Sequence, residues 1–142
     1  MSHNCQAIVF TCMDFRFHSD IRDFLVSLGL KDEYDLVSLA GVTKGLAEDD
    51  ALSKELILKQ IEISKKLHSI SEVYLIHHMD CGAYGGHQAF DSLEEEKSKQ
   101  LTDLSTAKKI INEKFPAMEV KKILARVESR DEKNEIDFEL IN

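Results

Sequence analysis

The sequence has little cysteine, almost no proline, no tryptophan and no long hydrophobic run. It contains three cysteines and one proline in 142 residues. An odd number of thiols, together with a polar start over residues 1–6, argues against a disulfide-stapled secreted domain. No apolar run approaches the roughly 20 residues that a membrane-spanning helix needs. These absences predict a cytoplasmic protein with reduced thiols, which leaves metal binding, nucleophilic chemistry or simple burial as their roles.

Positive charge is also scarce. The chain has 18 lysines and arginines against 26 aspartates and glutamates, a formal net charge of -8. Nucleic acids and anionic membranes would repel such a chain, so neither is expected as a partner. The sequence shows no linker, repeat or low-complexity stretch, and residues 1–142 are predicted to form a single domain.

Short apolar runs alternate with segments of helical period along the chain. Strands are predicted over residues 7–11, 35–40, 72–77, 120–127 and 135–141, with a polar turn over 129–134 before the last strand. Helices are predicted over residues 19–28 and 48–67, the second with acidic residues in its first turn, and from the cap Ser92 to Phe115. Inward-facing residues are predicted in the second helix at Leu52, Leu56, Ile57, Ile61 and Ile63, in the third at Leu93, Leu101, Leu104, Ala107, Ile110 and Ile111, and in the last strand at Ile136, Phe138 and Leu140.

This alternation predicts an α/β fold. We expect a mostly parallel sheet of order 2-1-3-4, with strand 5 as an antiparallel edge and helices on both faces. Sites in such sheets form at the carboxyl ends of strands where the strand order reverses. That point lies between the first and third strands.

Two short segments follow these two strands, at residues 12–16 and 78–82. They carry Cys12, His78 and Cys81, and the spacing of the last two lets one turn supply both ligands. Any one of them alone is explained by burial of an apolar thiol or ring. Together, two thiolates and one imidazole predict a zinc site with one tetrahedral position left open, which is typical of catalytic zinc.

Other polar residues have two interpretations each. Asp14 and Arg16 form either a bidentate pair beside the metal or a surface ion pair worth about 0 to 1 kcal/mol. His77 either supports the ligands or lies in the core, and Asp80 either adds a polar group to the site or caps the next turn. Cys5 is interpreted as a structural or exposed thiol. Four further histidines are expected to face solvent: His3, His18, His68 and His87.

The motif C-x-D-x-R at residues 12–16, followed by H-x-x-C-G at residues 78–82, resembles the signature of the β-class carbonic anhydrases. The strand order, Ala40-Gly41 after the second strand and the hairpin-like end are also similar to that family, so the resemblance covers most of the chain. It implies Cys12, His78 and Cys81 as ligands of one zinc ion per chain. The implied activity is reversible hydration of carbon dioxide to bicarbonate by zinc-bound hydroxide, since zinc lowers the pKa of water from 15.7 to about 7.

The resemblance also implies roles for the neighbouring residues. Asp14 would accept a hydrogen bond from the hydroxide, and Arg16 would hold Asp14 away from the metal. In a closed form, Asp14 would itself bind zinc. Gly41, Gly82 and Ala83 would keep the substrate pocket narrow and let backbone groups approach.

Two positions depart from the family pattern. Phe15 stands where serine is usual, and Leu39 stands where asparagine is usual. They leave two alternatives open: a hydrolase of carbonyl sulfide or carbon disulfide, or a zinc-binding relative without activity. The Asp14 and Arg16 pair favours an enzyme. We find no counterpart of the family's N-terminal helical arm, so we expect a homodimer or higher homo-oligomer with a different interface.

Overall fold

The computed structural model describes residues 3–130 and 133–142. Its strands are β1 (Ala7–Thr11), β2 (Tyr34–Ser38), β3 (Glu72–His78), β4 (Glu119–Arg130) and β5 (Lys133–Ile141). Its α-helices are α1 (His18–Ser27), α2 (Lys44–Ala47), α3 (Ala51–His68) and α4 (Leu93–Lys114). Two 3-10 turns, Gly82–Tyr84 and His87–Ala89, lie between β3 and α4.

The five strands form one sheet in the order β2-β1-β3-β4-β5. The first four strands are parallel, and β5 pairs antiparallel with β4. In the register of the sheet, Ile8 of β1 lies between Asp35 of β2 and Val73 of β3. The predicted α/β class and strand order are therefore confirmed.

Both faces of the central strand β1 are covered. Ile8 and Phe10 belong to the core layer that contains residues of α3 and α4, whereas Ala7 and Val9 belong to the layer that contains residues of α1. Every residue of β1 is buried. This double burial explains why β1 is a continuous apolar run rather than an alternating one.

The single helix predicted over residues 48–67 is wrong in its first turns. The chain forms the short helix α2, then adopts a left-handed backbone conformation at Asp49 (φ 58°), and α3 begins only at Ala51. The carboxylate of Asp50 accepts a hydrogen bond from the Ser53 backbone N–H at 3.3 Å and caps α3. The acidic residues thus precede α3, and its first turn contains none.

Several residues predicted to face inward are exposed. Leu52 and Leu93 lie in the first turns of α3 and α4, and Leu140 lies on the edge strand, two residues beyond the ring of Phe138 that stacks on Phe24 of α1. Leu56 and Ile63 are also largely exposed, because the buried face of α3 consists of Ile57, Leu58, Ile61 and Ser64. The second strand ends earlier than predicted, at Ser38, so Leu39 and Ala40 lie in the following loop.

Helix α4 begins as the sequence predicts. The Ser92 hydroxyl accepts a hydrogen bond from the Glu95 backbone N–H at 3.0 Å. The strands of the final hairpin extend to Arg130 and from Lys133, and residues 131–132 of the predicted turn lie outside the described residues. Within the described residues, no helix has both the length and the apolar character needed to cross a membrane.

Candidate metal centre

Three side chains with metal-binding atoms meet at the carboxyl ends of β1 and β3. Cys12 follows β1, His78 is the last residue of β3, and Cys81 lies three residues further on. All three are buried, and their donor atoms lie within 4.8 Å of one another. The two sulfur atoms are 4.0 Å apart. Adjacent parallel strands thus bring together residues that are far apart in the sequence.

The ring of His78 is oriented for coordination. Its Nδ1–H donates to the Met79 carbonyl at 2.7 Å, because a carbonyl can only accept, and this leaves Nε2 with a free lone pair. His78 Nε2 is buried and has no hydrogen-bond partner in the part of the chain that the structure describes. The Phe17 ring packs against His78 with 4.3 Å between ring centroids. An orphaned buried nitrogen beside two sulfurs fits the ligand set of zinc.

The two thiols of the group share a hydrogen bond that separates their acidities. The hydrogen bond from Cys81 lowers the pKa of Cys12 despite its burial. The same hydrogen bond and burial raise the pKa of Cys81. A metal ion bound here would replace the thiol protons, since cysteine binds zinc as the thiolate.

The carboxylate of Asp14 is held by Arg16. Arg16 Nη2 donates to Asp14 Oδ2 at 2.7 Å, Arg16 Nε donates to Oδ1 at 3.1 Å, and the Arg16 backbone N–H also donates to Oδ1, at 3.0 Å. These hydrogen bonds outweigh burial and lower the pKa of Asp14 to about 2. Asp14 Oδ2 lies 3.9 Å from His78 Nε2, but Asp14 is not part of the three-residue group. The structure thus has Asp14 bound to Arg16, and the closed form stays a prediction.

Arg16 also binds the segment that carries Cys81. Its Nη1 donates to Asp80 Oδ2 and its Nη2 to the Asp80 carbonyl, both at 3.0 Å. Asp80 has a left-handed backbone (φ 57°), and its Oδ1 accepts a hydrogen bond from the His87 backbone N–H at 2.8 Å. Asp80 therefore binds Arg16 and also the backbone at the start of the second 3-10 turn. It does not cap the first 3-10 turn, Gly82–Tyr84, which follows it directly.

A stripe of buried polar residues on α4 lies behind the loop of residues 79–91. The stripe consists of Glu96, Gln100 and Asp103, which are one helical turn apart. Glu96 Oε1 accepts a hydrogen bond from the Asp80 backbone N–H at 2.9 Å, and Glu96 Oε2 pairs with His87 Nδ1 at 2.6 Å. The helix thus holds the loop from behind without contributing a ligand.

His77 lies in the core, which settles its two predicted interpretations. Gln100 Nε2 donates to the His78 carbonyl at 3.2 Å, so Gln100 Oε1 accepts from His77 Nδ1 at 2.8 Å. His77 Nε2 then accepts from the Thr43 hydroxyl at 2.7 Å. Burial lowers the pKa of His77 to about 4, so the ring is neutral and joins β3 to α4 and to the start of α2.

Sequence reasoning missed the stripe on α4 because polar residues on a helix usually face water. Asp103 is buried and accepts a hydrogen bond from the Tyr84 hydroxyl at 2.7 Å, which anchors the first 3-10 turn. A signal was available, since Glu96, Gln100 and Asp103 repeat at helical spacing beside Leu104 and Ala107. His87 is exposed, as predicted, and its ring also pairs with Glu96.

Comparison with known families agrees with this geometry. A model of the family described as "Putative carbonic anhydrase" matches residues 2–133. The chain belongs to this carbonic-anhydrase-like family. It is 32% identical over 122 residues to an uncharacterized protein of Rickettsia conorii, covering 83% of this chain and 66% of that protein. It is 31% identical over 122 residues to an uncharacterized protein of Rickettsia bellii, covering 83% of this chain and 74% of that protein.

In this member of the carbonic-anhydrase-like family, a cleft of about 790 Å³ opens beside the three candidate ligands. Its lining includes the residues predicted for catalysis and for the substrate pocket, namely Asp14, Phe15, Arg16, Gly41, Gly82 and Ala83, together with Cys12 and Asp80. The side chain of Phe15 is 84% exposed at this cleft. The cleft therefore combines one charged cluster with an apolar side chain that is open to solvent.

Gly41 and Gly82 differ in whether their backbone conformation and surroundings would accept a side chain. Gly41 has a positive φ of 74°, and a Cβ atom there would lie 2.8 Å from the Cβ of Ala83. Gly82 has no such conformation, and a Cβ there would meet no atom within 4 Å. Close approach of the two loops that line the cleft thus depends on Gly41.

We expect Gly41→Ala to lower the free energy of unfolding by about 2 kcal/mol, through backbone strain and the contact with Ala83. Gly82→Ala is the matched control and should change it by less than about 0.5 kcal/mol. Urea denaturation of the two variants at equal metal content measures the difference. Equal destabilisation by both changes would contradict the role given to Gly41.

Proposed function

We propose that the protein is a zinc-dependent lyase that catalyses the reversible hydration of carbon dioxide to bicarbonate. One zinc ion per chain would be held by Cys12, His78 and Cys81. The observation that carries the proposal is the orphaned Nε2 of His78, which is buried beside two thiols and lies 3.9 Å from the Asp14 carboxylate. Family membership supports the same reaction class.

The three side chains would supply three of the four ligands that zinc takes, and Cys12 lines the open cleft. Zinc, when bound, supplies a nucleophile at neutral pH by lowering the pKa of water to about 7. The residues of the chain would hold the metal, orient the reacting water and leave the cleft side open to a small linear substrate.

Asp14 would act as a fixed hydrogen-bond acceptor in this reaction. Because its pKa is about 2, it is ionised throughout the neutral range and cannot store a proton there. Two side-chain N–H groups of Arg16 donate to the Asp14 carboxylate from one side. The carboxylate can therefore accept a further hydrogen bond only from a restricted direction. Arg16 is therefore proposed as a positioning residue that fixes Asp14.

The same network favours catalysis over a purely structural metal site. A structural zinc site needs only its ligands. Here, in addition, Arg16 binds both Asp14 and Asp80 beside those ligands. Such an arrangement fixes the direction of a carboxylate at the edge of the cleft, and a closed structural site would gain nothing from it.

One observation favours a second candidate reaction. Phe15 adds an exposed apolar surface to the cleft at the position where a small hydroxyl residue is usual in the β-class. Hydrolysis of carbonyl sulfide or carbon disulfide would use the same nucleophile on a larger and more apolar linear molecule. The residues that hold the metal and Asp14 would keep the same roles.

The location that we propose is the cytoplasm, because metal binding here requires reduced thiols. Cys5, Cys12 and Cys81 are all free, and the 4.0 Å between the sulfurs of Cys12 and Cys81 is a non-bonded distance. A reducing compartment keeps this pair available to a metal ion. Fractionation of cells followed by thiol labelling would test the location, and oxidised thiols in an extracellular fraction would contradict it.

The proposal is tested by stopped-flow measurement of carbon dioxide hydration by protein loaded with one equivalent of zinc. We expect a rate well above that of buffer, rising with pH through one ionisation near pH 7, about the pKa of zinc-bound water. Carbonyl sulfide is offered in a parallel assay. A faster reaction with carbonyl sulfide would support the second candidate, and zinc-loaded protein without either activity would overturn the enzyme proposal.

A further inference from the structure

A second group of metal-binding side chains lies at the opposite edge of the sheet. It consists of Cys5, Asp35 and His68, whose donor atoms all lie within 4.8 Å of one another. Cys5 precedes β1, Asp35 is the second residue of β2, and His68 is the last residue of α3. These are the amino ends of the two strands, whereas Cys12, His78 and Cys81 lie at the carboxyl ends of β1 and β3.

Hydrogen bonds hold this second group in place. Asp35 Oδ2 accepts from the Ser64 hydroxyl and pairs with His68 Nδ1 at 2.7 Å. The Cys5 backbone N–H donates to the His68 carbonyl at 3.0 Å, so the thiol is tethered beside the imidazole. The expectation that His68 faces solvent is therefore wrong, because the residue is half-buried and bonded to Asp35.

The chemistry of the group suits a divalent metal ion. The Cys5 thiol donates to the Ala7 carbonyl at 3.6 Å and lies beside the carboxylate of Asp35, whose negative charge a divalent cation would offset. Sulfur, imidazole nitrogen and carboxylate oxygen are all ligands of zinc, and donors about 2.0 to 2.3 Å from one ion fit a cluster of this size after small side-chain shifts.

We propose that Cys5, Asp35 and His68 form a second binding site, for a divalent transition metal ion such as Zn²⁺. A cavity of about 260 Å³, lined in part by Asp35, Ser64 and His68, adjoins the group. Binding releases the thiol proton of Cys5 to solvent. The site has one thiolate and is half-buried, so it binds more weakly than the centre with two buried cysteines.

The test uses Co²⁺, whose bond to a thiolate gives a charge-transfer absorption band that can be counted by titration. In the double variant Cys12→Ser/Cys81→Ser, Cys5 is the last thiol of the chain, so any such band arises from Cys5. We expect one equivalent of cobalt to bind with this band. A double variant that stays folded and gives no band overturns the proposal.

Further variants in the same background assign the ligands. His68→Gln and Asp35→Asn should each weaken cobalt binding by more than about 10-fold, whereas His18→Gln, which changes an exposed histidine outside the group, should leave it unchanged. An unchanged titration for both His68→Gln and Asp35→Asn would overturn the assigned ligand set.

A parallel measurement covers the case in which the double variant does not fold. Wild-type protein is first loaded with one equivalent of zinc, which occupies the stronger site, and is then titrated with Co²⁺. The first equivalent of Co²⁺ added to the zinc-loaded protein should produce the thiolate band, and Cys5→Ser should remove that band. A band that persists in zinc-loaded Cys5→Ser overturns the proposal.

Discussion

Cys81→Ser protein is expected to lose its zinc and all hydration of carbon dioxide above the rate of buffer. Serine replaces a soft thiolate with a hydroxyl that stays protonated at neutral pH, so Cys12 and His78 remain as a two-ligand site. Substitution of a residue that hydrogen-bonds to a metal ligand already costs about 10- to 100-fold in metal affinity, and loss of the ligand itself should cost more than about 100-fold. The fold should survive, because the serine hydroxyl can still donate to Cys12.

Metal analysis after gel filtration, stopped-flow kinetics and far-UV circular dichroism measure these three effects on one sample. Cys5→Ser is the matched control, since it changes a thiol outside the group of Cys12, His78 and Cys81. It should retain both the tightly bound zinc and the rate. Full zinc occupancy in the Cys81→Ser protein would show that the ligand set is assigned wrongly.

Asp14→Asn protein is expected to keep its zinc and to lose at least about 100-fold in turnover, which is the size of loss that follows removal of one preorganised hydrogen-bonding group from an active site. Asp14 is not part of the three-residue group, so metal content should not change. Arg16 donates to both carboxylate oxygens, so either orientation of an asparagine amide would direct its NH₂ at an N–H of Arg16. The pair would therefore separate and leave no oriented acceptor.

Zinc content and the turnover number of the Asp14→Asn protein are compared with those of the Asp20→Asn protein, in which an exposed aspartate of α1 is changed.

The pKa of Asp14 is lowered, so its stabilising ion pair is complete above the unfolded pKa of about 3.9 and is lost as pH falls through about 2. The rate profile of the wild-type protein near neutral pH should therefore contain no ionisation of Asp14. Wild-type turnover by Asp14→Asn would remove its proposed role.

The sheet could be predicted from the sequence because its strands are local and strongly apolar. A run such as residues 7–11 has few alternatives to a buried strand, and the alternation with helices then indicates a mostly parallel sheet. The break between α2 and α3 escaped prediction because neither glycine nor proline marks it. The left-handed backbone falls on Asp49, and only the cap at Asp50 signals the new helix.

The three candidate ligands could be predicted because each follows a strand at the point where the sheet forms sites. The residues that hold them in place could not, since their partners are backbone groups of a loop whose path the sequence does not reveal. Glu96 is the clearest case. It becomes buried only because the Asp80 N–H and the His87 ring reach it from the loop. Sequence reasoning assigns such a carboxylate to solvent.

The polar stripe on α4 also sets the rotation and the axial position of that helix. An apolar stripe tolerates a small slide or roll, because hydrophobic contact has no preferred direction. The hydrogen bonds that Glu96 and Asp103 accept and that Gln100 donates do have directions, and they act on three successive turns. Although α4 supplies no ligand, it thereby holds the loop that carries Cys81, and so it sets the position of Cys81 relative to Cys12.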